Sequence, residues 1–438
     1  MSEQNLFDMY FKYVRNTEPP AIFHRWSLIA SVGAMLGRQY WLPFGSSRLF
    51  PNQYVMFVGD PGTRKSTAIK KAARLIRLAG FEKFSAQKTS MEKFLLDSQD
   101  DDTDSEGYDA HEAHKGGRKK DAIDMLAELK LKFDGDGSSE DVPREMFIAA
   151  DEANNFLGSA NIAFQSLLGE LWDWDEPTAC YKQRLKSSKS VAIYQPTISI
   201  LAGNTPSSFA DCFPLASIGQ GFMSRLILVH ADCTGKKITF PAADDPEEIA
   251  AIVQYLQRIR SLCVGPATLT PEAESAMDLI YKGWTDMEDQ RFKHYSSRRF
   301  THLIKLCLIV SACRCSTQIA IQDVLQANTV LAWAETTMPK AIGELGKSKN
   351  AEAANKIMQF LYSATEAKTS SELWKVVQMD LSSITDLGVL LMNLQQADKI
   401  QIVPKGHGAK EGYLAKQKQM SRNMPFTNFE ILKGRETS

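Results

Sequence analysis

Four short stretches carry residue types that can do chemistry together. The first is Gly59-Asp60-Pro61-Gly62-Thr63-Arg64-Lys65-Ser66, directly after the apolar, β-rich run 53–58 and directly before the helical pattern 65–79. A strand, a glycine turn, then Lys-Ser opening a helix is the arrangement that cradles phosphate, because backbone N–H groups and the helix dipole converge on the anion. Lys65 is placed to reach the β- and γ-phosphates of ATP, the Ser66 hydroxyl to hold magnesium, and Gly59, Pro61, Gly62, Thr63, Arg64 and Thr67 to line the nucleotide. Arg64 stands where this pattern has its last glycine, so a positive φ there costs about 1 kcal/mol.

The second stretch is Met146 to Glu152, an apolar strand that delivers two carboxylates at its end. Asp151 suits a magnesium-bound water and Glu152 suits a general base on the attacking water. An Asp-Glu pair after a strand also reads as a plain helix cap. The third stretch, Ala202-Gly203-Asn204-Thr205-Pro206, closes a strand contained in residues 190–202 and ending at Asn204, and its amide can sit between carboxylates and γ-phosphate to orient water. The fourth, Gly221-Phe222-Met223-Ser224-Arg225-Leu226, puts Arg225 at the start of a strand on a sheet rim, where it can enter a neighbour's pocket and neutralise the transferring phosphoryl group. An Asn making a turn and an Arg in a surface ion pair are the plainer alternatives.

These residues need a sheet to hold them. Strands alternate with helices along 46–240, which predicts an α/β core with a mainly parallel sheet covered on both faces. A short strand near 83–86 and a helix near 90–97 belong to it. Residues 97–120 carry an acidic block, then a basic one, and read as a disordered insertion. Residues 1–45 read as a helical segment of two helices broken at Glu18-Pro19-Pro20, with aromatics from Phe7 to Trp26 packed as core. Residues 241–345 turn helical, with Thr270 capping a helix and Pro271 at its first position. A linker from Gly343 to Asn350 leads to residues 351–416, three helical patterns and a strand-turn-strand, the order of a winged helix. The tail, 417–438, is polar and reads as mobile.

Composition narrows the class. The chain has 438 residues, a net charge of -1 and seven cysteines, none spaced as CxxC. A zinc site and a disulfide framework are not expected, and buried thiols in a reducing cytosol are. Any nucleic-acid contact must come from a local basic patch. No secretion signal or bilayer-length apolar run is present, so a soluble, cytoplasmic protein with no membrane contact is expected, in the host cytoplasm if phage-encoded.

In sum order, GDPGTRKST, IAADE, LAGNTP and GFMSRL resemble phage and prophage AAA+ replicative DNA helicases, relatives in style of the MCM and superfamily-three helicases. Ser297-Arg298-Arg299-Phe300, the run Leu303 to Leu306 and Ile321 to Ala327 look like the MCM lid. The resemblance covers roughly residues 20–416. It makes Asn204 sensor 1, and Arg298, with Arg299 as the near alternative, sensor 2 on the γ-phosphate. It implies a P-loop ATPase core, a helical lid, a C-terminal winged helix and a hexameric ring. Arg64 and the lack of a zinc-bearing N-terminal domain depart from the pattern.

Between the carboxylates and Asn204 lies the basic, serine-rich stretch Tyr181 to Ser190, which reads as a β-hairpin. The resemblance points it into a ring's channel, where Lys182, Arg184, Lys186 and Lys189 would hold single-stranded DNA by its phosphates, salt-sensitively and without sequence preference. A solvated charged loop is the plain alternative. Lys88-Thr89-Ser90 and the wing's Lys405, His407 and Lys410 are secondary candidates. The expected function is an ATP-driven, ring-forming helicase of phage-type replication acting on forked DNA, with a primase, polymerase or single-strand-binding protein as further partners. The alternative is a DNA-binding AAA+ loader or packaging-associated ATPase that does not unwind.

Overall fold

The computed structural model describes residues 5–99, 143–175, 180–184, 190–214, 217, 221–343, 349–364, 366–396, 399–405, 410–416 and 423–433. The expected insertion at 97–120 therefore falls outside the described residues from 100 onward.

Helices α1 (Leu6–Val14) and α2 (Ala21–Leu36) are separated at Pro19-Pro20, as the sequence predicts. Pro20 caps α2 because its ring fixes φ and its missing N–H is not needed there. The aromatics Phe7, Tyr10, Phe11, Tyr13, Phe23 and Trp26 are all buried. Phe23 stacks on Phe57 of the central sheet at 4.5 Å, so the N-terminal helices belong to the main core.

After β1 (Tyr40–Phe44) and β2 (Ser47–Leu49), an antiparallel pair, come β3 (Tyr54–Val58), α3 (Lys65–Leu78), α4 (Met91–Gln99) and β4 (Glu145–Ala150). Then follow α5 (Ala153–Leu157), α6 (Ile162–Leu171), β5 (Cys180–Arg184), β6 (Ser190–Tyr194), β7 (Thr197–Asn204), α7 (Pro206–Cys212), α8 (Gly221–Arg225) and β8 (Leu226–His230). The central sheet has the order β4-β7-β3-β8, and every pairing in it is parallel. β3 and β7 are buried along their whole lengths because helices cover both faces, which explains the unbroken apolar run of β3.

One strand expectation changes: the segment 83–86 makes a single parallel bridge, Phe84 to Phe147, not a strand. The strand expected within 190–202 is β7, which ends at Asn204; Gln195, at φ 42, and Pro196, which cannot donate to a ladder, separate it from the hairpin strand β6.

The helical region holds α9 (Pro246–Leu262), α10 (Pro271–Gly283), α11 (Lys293–Ala312) and α12 (Ile321–Ile342). Thr270 Oγ1 accepts the Ala273 N–H at 3.2 Å, which is the cap read from the sequence. These helices share one apolar cluster with the sheet. A second cluster is separate. It is built by α13 (Lys349–Ser363), α14 (Ser370–Val377), α15 (Ile384–Gln396) and the antiparallel ribbon β12 (Ile400–Lys405) and β13 (Lys410–Ala415); β9 to β11 are two-residue strands, Gly265–Pro266, Thr268–Leu269 and Gln318–Ile319. Lys368 bridges to Tyr413, so the ribbon gains a third edge.

The tail corrects the sequence expectation. Residues 423–433 pack on the helical region, with Leu432 only 4% exposed. The side-chain amide of Asn328 donates to the carbonyls of Pro425 and Phe426, both at 2.9 Å, and Thr329 Oγ1 accepts the Asn428 N–H at 3.1 Å. A few apolar anchors and dedicated polar partners order a segment whose average composition is polar. The thiols are also less uniform than expected: all seven are free, but Cys233 is exposed.

Candidate functional site

β3 ends at Val58 and the glycine turn runs directly into α3. Gly62 has φ 93 with open space where a Cβ would sit, so the backbone there is accessible. Arg64 takes φ 60 and ψ 31, the left-handed region, which costs a non-glycine residue about 1 kcal/mol. The Lys65 ammonium folds back over the turn and donates to the carbonyls of Gly59 at 2.7 Å and Asp60 at 3.1 Å and to Thr63 Oγ1 at 3.2 Å. All three acceptors are neutral. Burial lowers the Lys65 pKa, and the nearby Asp60, Cys233 and Glu152 oppose that. A partly desolvated cation on neutral acceptors gains from a bound anion.

The carboxylates arrive beside this turn through the sheet order. Ala150 of β4 is level with Ala202 of β7, and Asn204 of β7 is level with Val58 of β3. Asp151, Glu152, Asn204 and Gly59 therefore share the C-terminal edge of adjacent strands, where open α/β sheets bind ligands. Gly203 permits the closeness. A Cβ there would stand 2.6 Å from the Asp151 carbonyl, and Lys65 Cβ lies 3.5 Å away. Asp151 pairs with Lys70 at 2.5 Å. Lys70 is four residues after Ser66 and so on the same helical face, which brings the carboxylate to the Ser66 side of α3. Glu152 occupies the N-cap position of α5, yet its side chain makes no capping hydrogen bond. The plain cap alternative thus loses its main support.

Asn204 is 1% exposed. Its amide donates to Asn154 Oδ1 at 3.4 Å, and Cys212 Sγ donates to the same oxygen. Its own Oδ1 has no hydrogen-bond partner among the described residues. A buried, unpartnered acceptor at the end of a central strand is costly unless a ligand or water meets it. Asn154, Lys70 and Gly203 were not singled out by sequence reasoning. Asn154 and Gly203 lie close to Asp151 and Asn204 in the chain, and Lys70 lies one helical turn after Ser66; that closeness is the signal that could have found them.

Arg225 and Arg298 lie elsewhere. Arg225 ends the short helix α8 instead of starting the strand, and Leu226 after it is level with Tyr54, the first residue of β3. Arg225 is therefore at the N-terminal edge of the sheet, about 20 Å from the glycine turn at about 3.3 Å per strand residue. Its Nη1 donates to the Gly221 carbonyl at 2.7 Å, and its guanidinium lies 5.9 Å from the Trp172 ring. Burial lowers its pKa, and the neighbouring Arg298 adds to that. Arg298 pairs with Asp173 at 3.6 Å, beside the buried Lys305, whose Nζ is 3.5 Å from the same carboxylate and 2.6 Å from Asn52 Oδ1. Burial pushes Lys305 down to about 8. Arg298 thus joins Arg225, not Lys65 of its own chain. Arg299 is a core residue: it bonds Glu335 at 2.8 Å and Asn328 at 2.7 Å and lies 3.0 Å from the Trp284 ring centre, so its guanidinium is directed into the core and not to the glycine turn.

The predicted hairpin is present as the antiparallel pair β5-β6, with Arg184 level with Ser190. Lys182 is exposed on it, while Lys186 and Lys189 lie outside the described residues. Ser90 of the secondary candidate Lys88-Thr89-Ser90 caps α4, its Oγ accepting the Lys93 N–H at 3.2 Å. Lys405 and Lys410 end the facing strands of the C-terminal ribbon, and His407 between them lies outside the described residues.

A cavity of about 440 Å³ opens beside α3, lined by Thr67 and Lys71 of that helix, by Glu18 and Pro19, and by Ile238 and Asp244. That is within the usual size of a small-molecule site. No cluster of three metal-ligating side chains occurs among the described residues. Magnesium beside a nucleotide needs fewer, one or two protein oxygens with phosphates and water completing the shell; Ser66 and Asp151 are the residues here with oxygens of that kind.

The fold and site define a mixed α/β protein with a four-stranded, all-parallel sheet flanked by helices. No helix among the described residues is long and apolar enough to cross a membrane. The chain matches no protein-family model and no curated protein.

Proposed function

We propose that this chain is an AAA+ ATPase that assembles into a ring, with a hexamer as the leading expectation, and unwinds forked DNA in phage-type replication. The observation that carries the reading is the division of the site. Lys65, Ser66, Asp151, Glu152 and Asn204 gather at one edge of the sheet, while Arg225 and Arg298 sit at the opposite edge. A complete pocket then requires two chains in head-to-tail contact, and such contacts form a ring when the rotation from one chain to the next closes.

In this reading Ser66 and Asp151 hold magnesium, which would neutralise phosphate charge when bound. Lys65 turns from the carbonyls of its own turn to the phosphates. Glu152 accepts the proton of the attacking water and Asn204 holds that water through its unpartnered Oδ1. Arg225, with Arg298 beside it, supplies positive charge to the neighbour's phosphoryl group. The helical region from α9 to α12 serves as the lid, and the unit from α13 to β13, with its own core and ribbon, as a winged helix. The β5-β6 hairpin, just ahead of the Asn204 strand, is the DNA contact.

Strand displacement on a forked substrate tests this. Changing Lys182, Arg184, Lys186 and Lys189 together to Ala should abolish unwinding and DNA-stimulated ATP turnover and leave basal turnover near the parent level. Each lost phosphate contact should flatten the log–log salt dependence of single-strand binding by about 0.7. A parent protein that binds DNA and turns over ATP but displaces no strand would be a loader instead.

A further inference from the structure

Arg64 makes a bond that phosphate transfer does not use. A glycine would adopt the φ of 60 at this position without strain. The arginine side chain instead leaves the turn, and its Nε donates to Glu18 Oε2 at 2.5 Å. Glu18 is a joint between two segments. Its Oε1 accepts the Ile238 N–H at 2.8 Å, and its carbonyl accepts the Thr234 hydroxyl at 2.9 Å. Lys236 Nζ adds a bond to the Arg15 carbonyl at 2.6 Å. Residues 15–19 and 234–238 are thereby laced together, and 15–19 with the stretch from Ile238 to Asp245 form the wall of the cavity of about 440 Å³ whose floor is α3.

Two clamps fix that wall to the floor. At the far end Asp244 takes Lys71 at 2.6 Å, Arg74 at 2.8 Å and the Tyr13 hydroxyl at 3.0 Å. At the near end the clamp is Arg64 to Glu18. The cavity reaches Thr67, the residue after Ser66, so a group carried by phosphates in the glycine turn would enter it.

We propose that Arg64 is a positioning residue for the nucleoside part of the ligand: through Glu18 it holds the cavity wall at the spacing a nucleoside needs. The inference rests on the nucleotide reading above. The clamp is assigned to the nucleoside because Glu18 lines this cavity and its carboxylate is taken up by the Arg64 side chain and the Ile238 N–H, none of them a group that grips phosphate in the turn.

The test is binding to the full chain of a fluorescent N-methylanthraniloyl-ADP and, by competition, of inorganic tripolyphosphate. Glu18→Gln keeps an acceptor for the Ile238 N–H and loses the ion pair. It should weaken ADP binding by up to about five-fold, the upper end for an exposed pair, and leave tripolyphosphate binding unchanged. Arg64→Gly should weaken ADP binding as much, without loss of thermal stability, and the double variant should be no weaker than either single one. ADP binding by Glu18→Gln at the parent's affinity, or losses that multiply in the double variant, would overturn the proposal. Lys65→Ala separates the two claims. If it abolishes ADP binding while Glu18→Gln does nothing, the clamp alone fails; if the parent binds neither probe, the nucleotide reading fails.

Discussion

Lys65 and Arg225 stand at opposite ends of paired parallel strands. Lys65 follows the turn after Val58, whereas Arg225 precedes Leu226, which is level with Tyr54 at the start of the same strand. Parallel pairing keeps strand starts on one edge and strand ends on the other, so the fold itself prevents these two cations from meeting around one phosphate chain within a single subunit.

Complementation follows. Arg225→Ala and Lys65→Ala should each abolish ATP turnover alone. Mixed in equal amounts they should recover activity, because about a quarter of random head-to-tail interfaces pair an intact Lys65 with an intact Arg225. Arg298→Ala should also be rescued by Lys65→Ala but not by Arg225→Ala, since Arg298 shares the Arg225 edge. ATPase assays across mixing ratios decide it, and absence of recovery in verified mixed assemblies would place both arginines in their own subunit's site.

Glu152→Gln should keep ATP bound and slow hydrolysis by about 10²- to 10⁴-fold, the range for loss of a general base. Since Glu152 makes no capping bond, thermal stability should not change. Turnover equal to the parent's would return Glu152 to a bystander at the end of β4.

Much of this site was legible because its parts are contiguous in sequence. The glycine turn, the Asp151-Glu152 pair and Asn204 each end an apolar strand, and a parallel sheet must bring such ends together. The choice between Arg298 and Arg299 was not legible. Adjacent residues on a helix point about 100° apart, and only the packing of α11 on α12 shows that Arg299 enters the core at Glu335 while Arg298 reaches Asp173. The Arg64 to Glu18 bond joins residues far apart in sequence, and no local pattern announces it. The tail misled for the opposite reason: its polar average conceals Pro425, Phe426 and Leu432.

Leu432 gives that tail a measurable weight. Leu432→Ala removes a side chain buried in the main core and should cost about 2–3 kcal/mol. Urea denaturation followed by fluorescence checks this. An unchanged midpoint would mean that residues 423–433 add nothing to the fold.

Acid should destabilise the chain through two histidines. His24 and His302 are fully buried, and burial brings each ring from 6.5 down to about 3. Between those values the unfolded chain binds a proton that the native chain does not, so stability falls as pH drops below 6.5. The loss reaches about 1.4 kcal/mol per histidine by pH 5.5. Urea midpoints at pH 7.5 and 5.5 should show this drop, and His302→Gln should reduce it. An equal drop in parent and variant would remove His302 from the explanation.

ATP turnover by the purified chain, with and without single-stranded DNA and beside a folded Lys65→Ala variant, tests the central claim most directly. The account predicts magnesium-dependent hydrolysis that single-stranded DNA stimulates, and none in the variant. Equal turnover by parent and Lys65→Ala would contradict it.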